Sequence, residues 1–309
     1  MKLTDARYPK PGDQGGRLMR RLISFLKSRG VSLPIDSDIL IAVSGGPDSV
    51  ALAHLLIHFG RRVVNRSKIH LLHVNHHWRS EDSDRDEEFV KNLGDLWNVP
   101  VRLRHLSPPT LLKKESWEEL AREGRKLIYL EESQQLGGAL VLTGHQADDL
   151  AETILWRFFT GSLDSHGAGI FFRHESELRP LLSTRKIELL SYLQEVGQSF
   201  QVDSTNESDR FLRSRMRKVL MPEVEKLFPK AIEHLVSFAL SDRVGQMGML
   251  LQKTEQGSYL RELQKRVFEE SGVKMRRNHL KQVIGGKKIQ LPDGWILMRE
   301  SSKKPPNID

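Results

Sequence analysis

Asp38-Ile39-Leu40-Ile41-Ala42-Val43-Ser44-Gly45-Gly46-Pro47-Asp48-Ser49-Val50 opens with an apolar run, Asp38 to Val43, that breaks at two consecutive glycines and gives way to helical spacing of Val50, Leu52, Ala53, Leu55 and Leu56. That order reads strand, tight turn, helix. Working outward, Ile69 to Asn75 is a second strand, Ser83 to Trp97 an acidic helix and Val101 to Leu106 a third strand. Ser116 to Leu136 is a long helix, Ala139 to Thr143 a fourth strand and Ala147 to Phe159 the next helix. Strands alternating with helices of this length predict an α/β fold: a doubly wound, mostly parallel sheet covered on both faces. After Gly161 the alternation is expected to stop, leaving helices near Thr184 to Val196 and Arg213 to Lys226 and a terminal β element around Lys288 to Met298. The expected domains are an N-terminal extension or helix over 1–36, the α/β domain over 37–218, and a smaller, basic, mainly helical module over 219–309.

With 38% hydrophobic and 28% charged residues among 309, the chain sits near the globular average, which argues against wholesale disorder. It has no cysteine, which excludes disulfides, thiolate zinc sites, cysteine-ligated iron–sulfur clusters and sulfur transfer through a thiol of its own. No apolar stretch approaches the ~18 residues of a membrane span, and the first residues lack the apolar core of a secretory signal, so a cytoplasmic location is expected. The net charge is +8, and from residue 201 onward 21 Lys and Arg stand against 14 Asp and Glu, so +7 of it lies in the last third. Segregated positive charge suits a nucleic-acid partner, although a solvated basic face explains it equally well.

In a doubly wound sheet the loops leaving the carboxyl ends of the strands converge on one crevice. Three polar segments fall there: 44–49, 73–79 and 143–149. Two glycines after a buried strand let the backbone turn tightly and aim successive N–H groups outward, forming a nest for phosphate oxygens at a helix amino end. No lysine follows the glycines, so this is not a Walker loop; a nest with a carboxylate at Asp48 suits a pyrophosphate held with Mg²⁺.

Ser44, Gly45, Gly46, Asp48 and Ser49 match the SGGxDS signature, and here the chain resembles the PP-loop ATP pyrophosphatases. Further segments narrow the resemblance: His73-Val74-Asn75-His76 with Arg79; Ala121-Arg122 with Arg125; His145 with Asp148, Asp149 and Glu152; Arg179-Pro180-Leu181-Leu182 with Arg185 and Tyr192; and Asp203-Ser204-Thr205-Asn206 leading to Arg213, Arg215, Arg217 and Pro222. In this order they are similar to the tRNA(Ile)-lysidine synthase family. The resemblance implies an adenine nucleotide alpha hydrolase-like, Rossmann-like catalytic domain and a tRNA-binding C-terminal domain. It implies a carbon–nitrogen ligase in which ATP activates C2 of the wobble cytidine of a CAU-anticodon isoleucine tRNA, releasing pyrophosphate, before a lysine amine expels AMP. The partners are then that tRNA and L-lysine, with no membrane, and a homodimer is left open. Ser44, Gly45, Gly46, Pro47, Asp48, Ser49, His73, Asn75, Arg122, Gly144 and His145 are expected at ATP. Arg79, Arg125, Arg185, Arg213, Arg215 and Arg217 are expected at tRNA or phosphate.

The acids have their own logic. Asp148, Asp149 and Glu152 open a helix, and Glu152 shares a face with either aspartate at i, i+4 or i, i+3 spacing. First-turn acids also stabilise a helix dipole without any ligand. An ammonium substrate needs carboxylates to hold it and a base to make it nucleophilic. Asp48, Asp148, Asp149 and Glu152 are therefore the expected catalytic set: Asp149 and Glu152 hold lysine, while Asp148 and Asp48 serve Mg²⁺, phosphate geometry or proton transfer, with Asp48 the candidate Mg²⁺ ligand. Histidines 70, 73, 76 and 77 alternate faces of a strand, which disfavours a zinc site; His73 either shapes the nucleotide pocket or is simply packed. Thr160-Gly161 stands where the family usually has Arg-Gly, Lys126 where a tyrosine is expected, and Ser214 where asparagine is common. The alternatives are another PP-loop ligase or amidotransferase, and a non-catalytic tRNA-binding relative; retention of all four acids favours catalysis.

Overall fold

The computed structural model describes residues 13–75, 81–106, 117–162, 170–201, 212–241, 289–290 and 296–297. The chain divides into two compact units, Met1–Ala239 and Leu240–Asp309. In the first, α1 (Gln14–Ser28) precedes β1 (Ile39–Ala42), α2 (Pro47–Phe59), β2 (Ile69–Asn75), α3 (Glu81–Trp97), β3 (Val101–His105), α4 (Trp117–Gln135), β4 (Leu140–Leu142) and α5 (Ala147–Phe159). Then come β5 (Arg173–His174), β6 (Glu177–Leu178), α6 (Lys186–Glu195), α7 (Leu212–Arg215), a π-helical turn (Met216–Leu220), α8 (Met221–Leu227) and α9 (Ala231–Ala239). In the second unit the described residues beyond 241 are a two-stranded antiparallel pair, β7 (Ile289–Gln290) and β8 (Ile296–Leu297). The helices expected around it, and the tail, lie outside the described residues. The expected boundary at 218/219 falls within the helical run over 212–227, 21 residues before the division between units.

The sheet order is β3-β2-β1-β4-β6-β5, parallel except for the β5–β6 pair. β1 lies between β2 and β4, with Ile39 opposite both Ile69 and Leu140. After β1 the chain winds outward through β2 and β3, then crosses to the other side of β1 as β4. The strand order therefore reverses between β1 and β4, which is where an open α/β sheet leaves a crevice at its carboxyl edge. The sequence predicts that alternation ends after Gly161, yet Glu177–Leu178 adds a further parallel strand beside β4. Two residues are too few for any periodicity to register.

Side chains of β1 alternate between two cores. Ile39 and Ile41 join the larger one with Leu52, Leu55 and Leu56 of α2, while Leu40 joins Leu72, Ala139 and Val141 on the opposite face, under Tyr129 of α4. This two-sided burial is why β1 reads as an uninterrupted apolar run. Leu18, Met19, Leu22 and Leu26 form one stripe of α1 and seal the larger core, each full burial stabilising by ~1.5–3 kcal/mol. Among the described residues, no helix is long and apolar enough to cross a membrane.

Candidate active site

The glycine turn leaves β1 at the reversal point. Gly45 adopts φ +95°, a left-handed conformation that a side chain would strain, and its carbonyl accepts from Gln201 N at 2.9 Å. Ser49 Oγ donates to Gly46 O at 2.9 Å and accepts from Ser44 N at 3.2 Å, which ties the turn across its mouth. Pro47 occupies the first turn of α2, where its missing N–H costs nothing, and the remaining amides of that turn form the positive end of the helix, which favours negative charge. Gly144, leaving β4, crosses directly beneath: a Cβ there would sit 2.8 Å from Ser49 N and 3.0 Å from Asp48 C. Both loops of the crevice thus depend on glycine for a backbone reason.

Asp48 sits at this junction with Oδ1 buried and without a hydrogen-bond partner. Burial pushes its pKa up to about 7; Lys186 opposes the shift, Asp149 and Asp148 add to it, and Arg217 opposes it. An unpartnered buried carboxylate oxygen is costly unless a ligand completes it. Among the described residues no three His, Asp or Glu side chains form a ready-made metal cage. The arrangement fits Mg²⁺, which takes one or two carboxylates and shares its remaining ligands with phosphate and water.

The acids of α5 separate into three environments. Asp149 closes a capping box: its Oδ2 accepts from Gln146 N at 3.1 Å while Gln146 Oε1 accepts from Asp148 N. Burial pushes the Asp149 carboxyl above the usual range against that bond. Asp148 is clamped by Arg185, whose Nε reaches both oxygens at 3.1 and 3.2 Å and whose Nη2 lies 2.9 Å away, and by Lys186 N at 2.8 Å. Arg185 also donates to Glu225 on α8 at 2.6 Å; these partners hold its pKa up although burial opposes it. Glu152 is almost fully buried, and its two oxygens accept from Arg213 Nε and Arg217 Nε, each at 2.6 Å. Three arginines expected at tRNA or phosphate thus each hold a carboxylate in the fold. Sequence reasoning also missed Glu225 and the cap Gln146, because a single glutamate on a basic helix and a glutamine N-cap carry little pattern signal.

On the other side of the turn, His73 Nδ1 donates to Val43 O at 2.8 Å, which leaves Nε2 buried and unpartnered. Since the carbonyl can only accept, the proton lies on Nδ1, and burial keeps the ring neutral. His73 is thus both packed and equipped with a free acceptor. Asn75 donates to Glu87 at 2.9 Å, so its amide is turned toward α3. His70 pairs with Asp38 at 2.8 Å, away from His73, in keeping with alternating strand faces. His145 Nδ1 bonds Thr143 Oγ1 at 3.0 Å, Thr143 donates to buried Glu177, and Glu177 pairs with Arg179 at 2.7 Å. Burial, then Arg179, Arg125 and Arg122, push the His145 pKa down to about 3. Arg122 and Arg215 are exposed and Arg125 is half-buried. Arg79, the segment over 203–206 and the loop over 163–169 lie outside the described residues.

Comparison with known proteins agrees with this geometry. A family model described as a PP-loop domain matches residues 17–224. A tRNA(Ile)-lysidine synthase of Bacteroides thetaiotaomicron is 31% identical over 221 residues, covering 71% of this chain and 50% of that one. One from Symbiobacterium thermophilum is 34% identical over 220 residues, covering 70% and 45%. The chain thus spans about half the length of these curated relatives. Among solved structures, a U34-tRNA thiolase of Methanococcus maripaludis superposes with TM-score 0.56 at 17% identity, covering 78% of this chain and 79% of that one, a likeness of fold. The glycine turn at the strand reversal and a match running from α1 into α8 place this chain in the PP-loop domain family.

Proposed function

We propose that the chain is a tRNA(Ile)-lysidine synthase, ligating lysine to C2 of the wobble cytidine in a CAU-anticodon isoleucine tRNA. The observation that carries this reading is the meeting, at one crevice, of a lysine-free phosphate nest, the unpartnered oxygen of Asp48 and the acids that open α5. The relatives named above support the same chemistry. In the first half-reaction the cytidine C2 oxygen attacks the α-phosphorus of ATP and pyrophosphate leaves. In the second, the lysine amine attacks C2, the C–O bond breaks and AMP leaves.

The turn amides at 44–49 take phosphate oxygens, and His73 Nε2 offers the nucleotide an acceptor. Asp48 would hold Mg²⁺, which when bound neutralises phosphate charge. Glu152 and Asp149 receive the substrate ammonium: a carboxylate has about four acceptor directions, and the two arginines occupy one on each oxygen of Glu152. Asp149, pushed up by burial, takes the proton that the amine must lose. Arg185 fixes Asp148, and through it the start of α5. The basic last third supplies phosphate contacts, with ATP, lysine and tRNA as the ligands and the cytoplasm as the location.

Incubation with ATP, Mg²⁺, labelled lysine and CAU-anticodon isoleucine tRNA should fix label in the tRNA. Label fixed from ammonium or glutamine but not from lysine would replace this reading with amidation. Asp149→Asn with unchanged lysine KM and turnover would sink the role given to Asp149.

A further inference from the structure

The carboxyl end of α5 carries two neighbouring aromatic rings that the fold leaves in solvent. Phe158 and Phe159 are 64% and 61% exposed, and their rings meet edge to face at 5.6 Å. An edge-to-face pair leaves at least one ring face open. The turn beneath them is fixed: Thr160 N and Oγ1 both bond Trp156 O, Thr160 Oγ1 bonds Ser162 Oγ at 2.9 Å, and Ser162 N bonds Arg157 O at 2.8 Å. Gly161 at φ +63° completes this helix stop. The rings are therefore held on a rigid end of the same helix whose first turn carries Asp148 and Asp149.

Guanidinium groups gather along α5 in the turns that lead up to the rings, with Arg157 next to Phe158 in sequence. Arg213 donates to Thr153 Oγ1 at 3.3 Å, and Arg157 lies one turn further along that face of α5. Burial, then Arg122 of α4 and Arg213, push the Arg157 pKa down, so the three cations stand near one another. Exposed aromatics beside clustered arginines suit unpaired nucleic acid: rings take bases, cations take phosphates.

We infer that Phe158 and Phe159 form a stacking platform for an unpaired base of the RNA substrate, with Arg157 and Arg122 beside it for the flanking phosphates. The inference rests on the RNA-substrate reading above. Ten residues of helix separate Phe158 from Asp148, about 15 Å along the axis, or about four stacked base steps. The platform thus takes a base about four steps from the reacting one, and it positions the loop while the acids do the chemistry.

The test is fluorescence anisotropy of the full chain with a labelled stem–loop RNA bearing the CAU anticodon, at several salt concentrations. Phe158→Leu/Phe159→Leu keeps apolar area but removes the rings, and should weaken binding roughly 5- to 100-fold with the salt slope unchanged. Phe158→Tyr/Phe159→Tyr should bind like the wild type. On a stem–loop with abasic loop positions, wild type and the Leu variant should bind alike. Arg157→Gln should lower the salt slope by roughly 0.7 to 0.9. Equal affinity of the Leu variant and wild type for the base-containing loop overturns the platform while leaving the RNA reading intact, as does a loss that persists on the abasic loop. So does a Leu variant that changes only the sedimentation coefficient, which would assign the rings to a second copy. A wild-type chain with no salt-dependent RNA binding removes the RNA reading itself and the platform with it.

Discussion

Replacing Asp48 by asparagine should stabilise the ligand-free protein at alkaline pH while abolishing its use of Mg²⁺ and ATP. The carboxyl titrates near 7 in the folded chain because burial outweighs the help of Lys186 and Arg217, against 3.8 as the ordinary value. A raised carboxyl pKa means that the native state binds more protons than the unfolded state between about pH 4 and 7. Stability therefore falls as pH rises through that window and levels off above it. A shift of about 3 units corresponds to about 4 kcal/mol of cost when the group is fully ionised. Integrated between pH 5 and 8, the Asp48 contribution changes by ~2.5 kcal/mol. Urea denaturation of wild type and Asp48→Asn at both pH values isolates this quantity, since a constant cost of seating the amide cancels in the double difference. The variant should gain ~2.5 kcal/mol relative to wild type on going from pH 5 to 8. A difference independent of pH, or one that moves toward wild type on going from pH 5 to 8, would refute the view of Asp48 as a carboxylate held ready for a ligand.

Three further outcomes follow from the same contacts. Arg213→Ala/Arg217→Ala strips both partners from buried Glu152 and should cost about 3–5 kcal/mol, whereas Glu152→Gln leaves half-exposed arginines that water can solvate and should cost less. Urea midpoints in the reverse order would contradict the assignment. His54 and His58, packed against Trp97 and Tyr192, are held neutral by burial, with pKa values pushed down to about 3 and about 4. Their contribution is complete above about pH 6.5 and is lost as pH falls toward 4, so His58→Asn should flatten the acid limb of a Tm–pH curve; an unchanged limb counts against it. Gly144→Ala drives a Cβ into the backbone of Ser49 and should weaken ATP binding more than tenfold in calorimetry, with a stability loss of ~1–3 kcal/mol. Unaltered ATP affinity would separate Gly144 from the phosphate turn.

Much of the architecture was legible along the chain because its signals are local. The apolar run ending at Val43, the paired glycines and the helical spacing after Ser49 are short-range consequences of backbone geometry. They suffice to place β1, the turn and α2. The helix at Ala147–Phe159, with its acids in the first turn, was equally plain. A strand as short as Glu177–Leu178 was not, because its membership of the sheet is decided by pairing with β4.

Charge pairing is where tertiary structure alone decides. A basic stripe at Arg213 and Arg217 has the same spacing whether it faces phosphate or protein, and only the packing of the helical run over 212–227 puts both guanidinium groups on Glu152. Likewise nothing near Asp148 in sequence announces Arg185, 37 residues away, or Glu225 behind it. The chain's order fixes which backbone turns and which amphipathic faces exist, since those depend on neighbours within a few residues. Which acid is capped, which is clamped and which is left without a partner depends on where side chains distant in sequence come to rest, and on how much water the fold leaves around them.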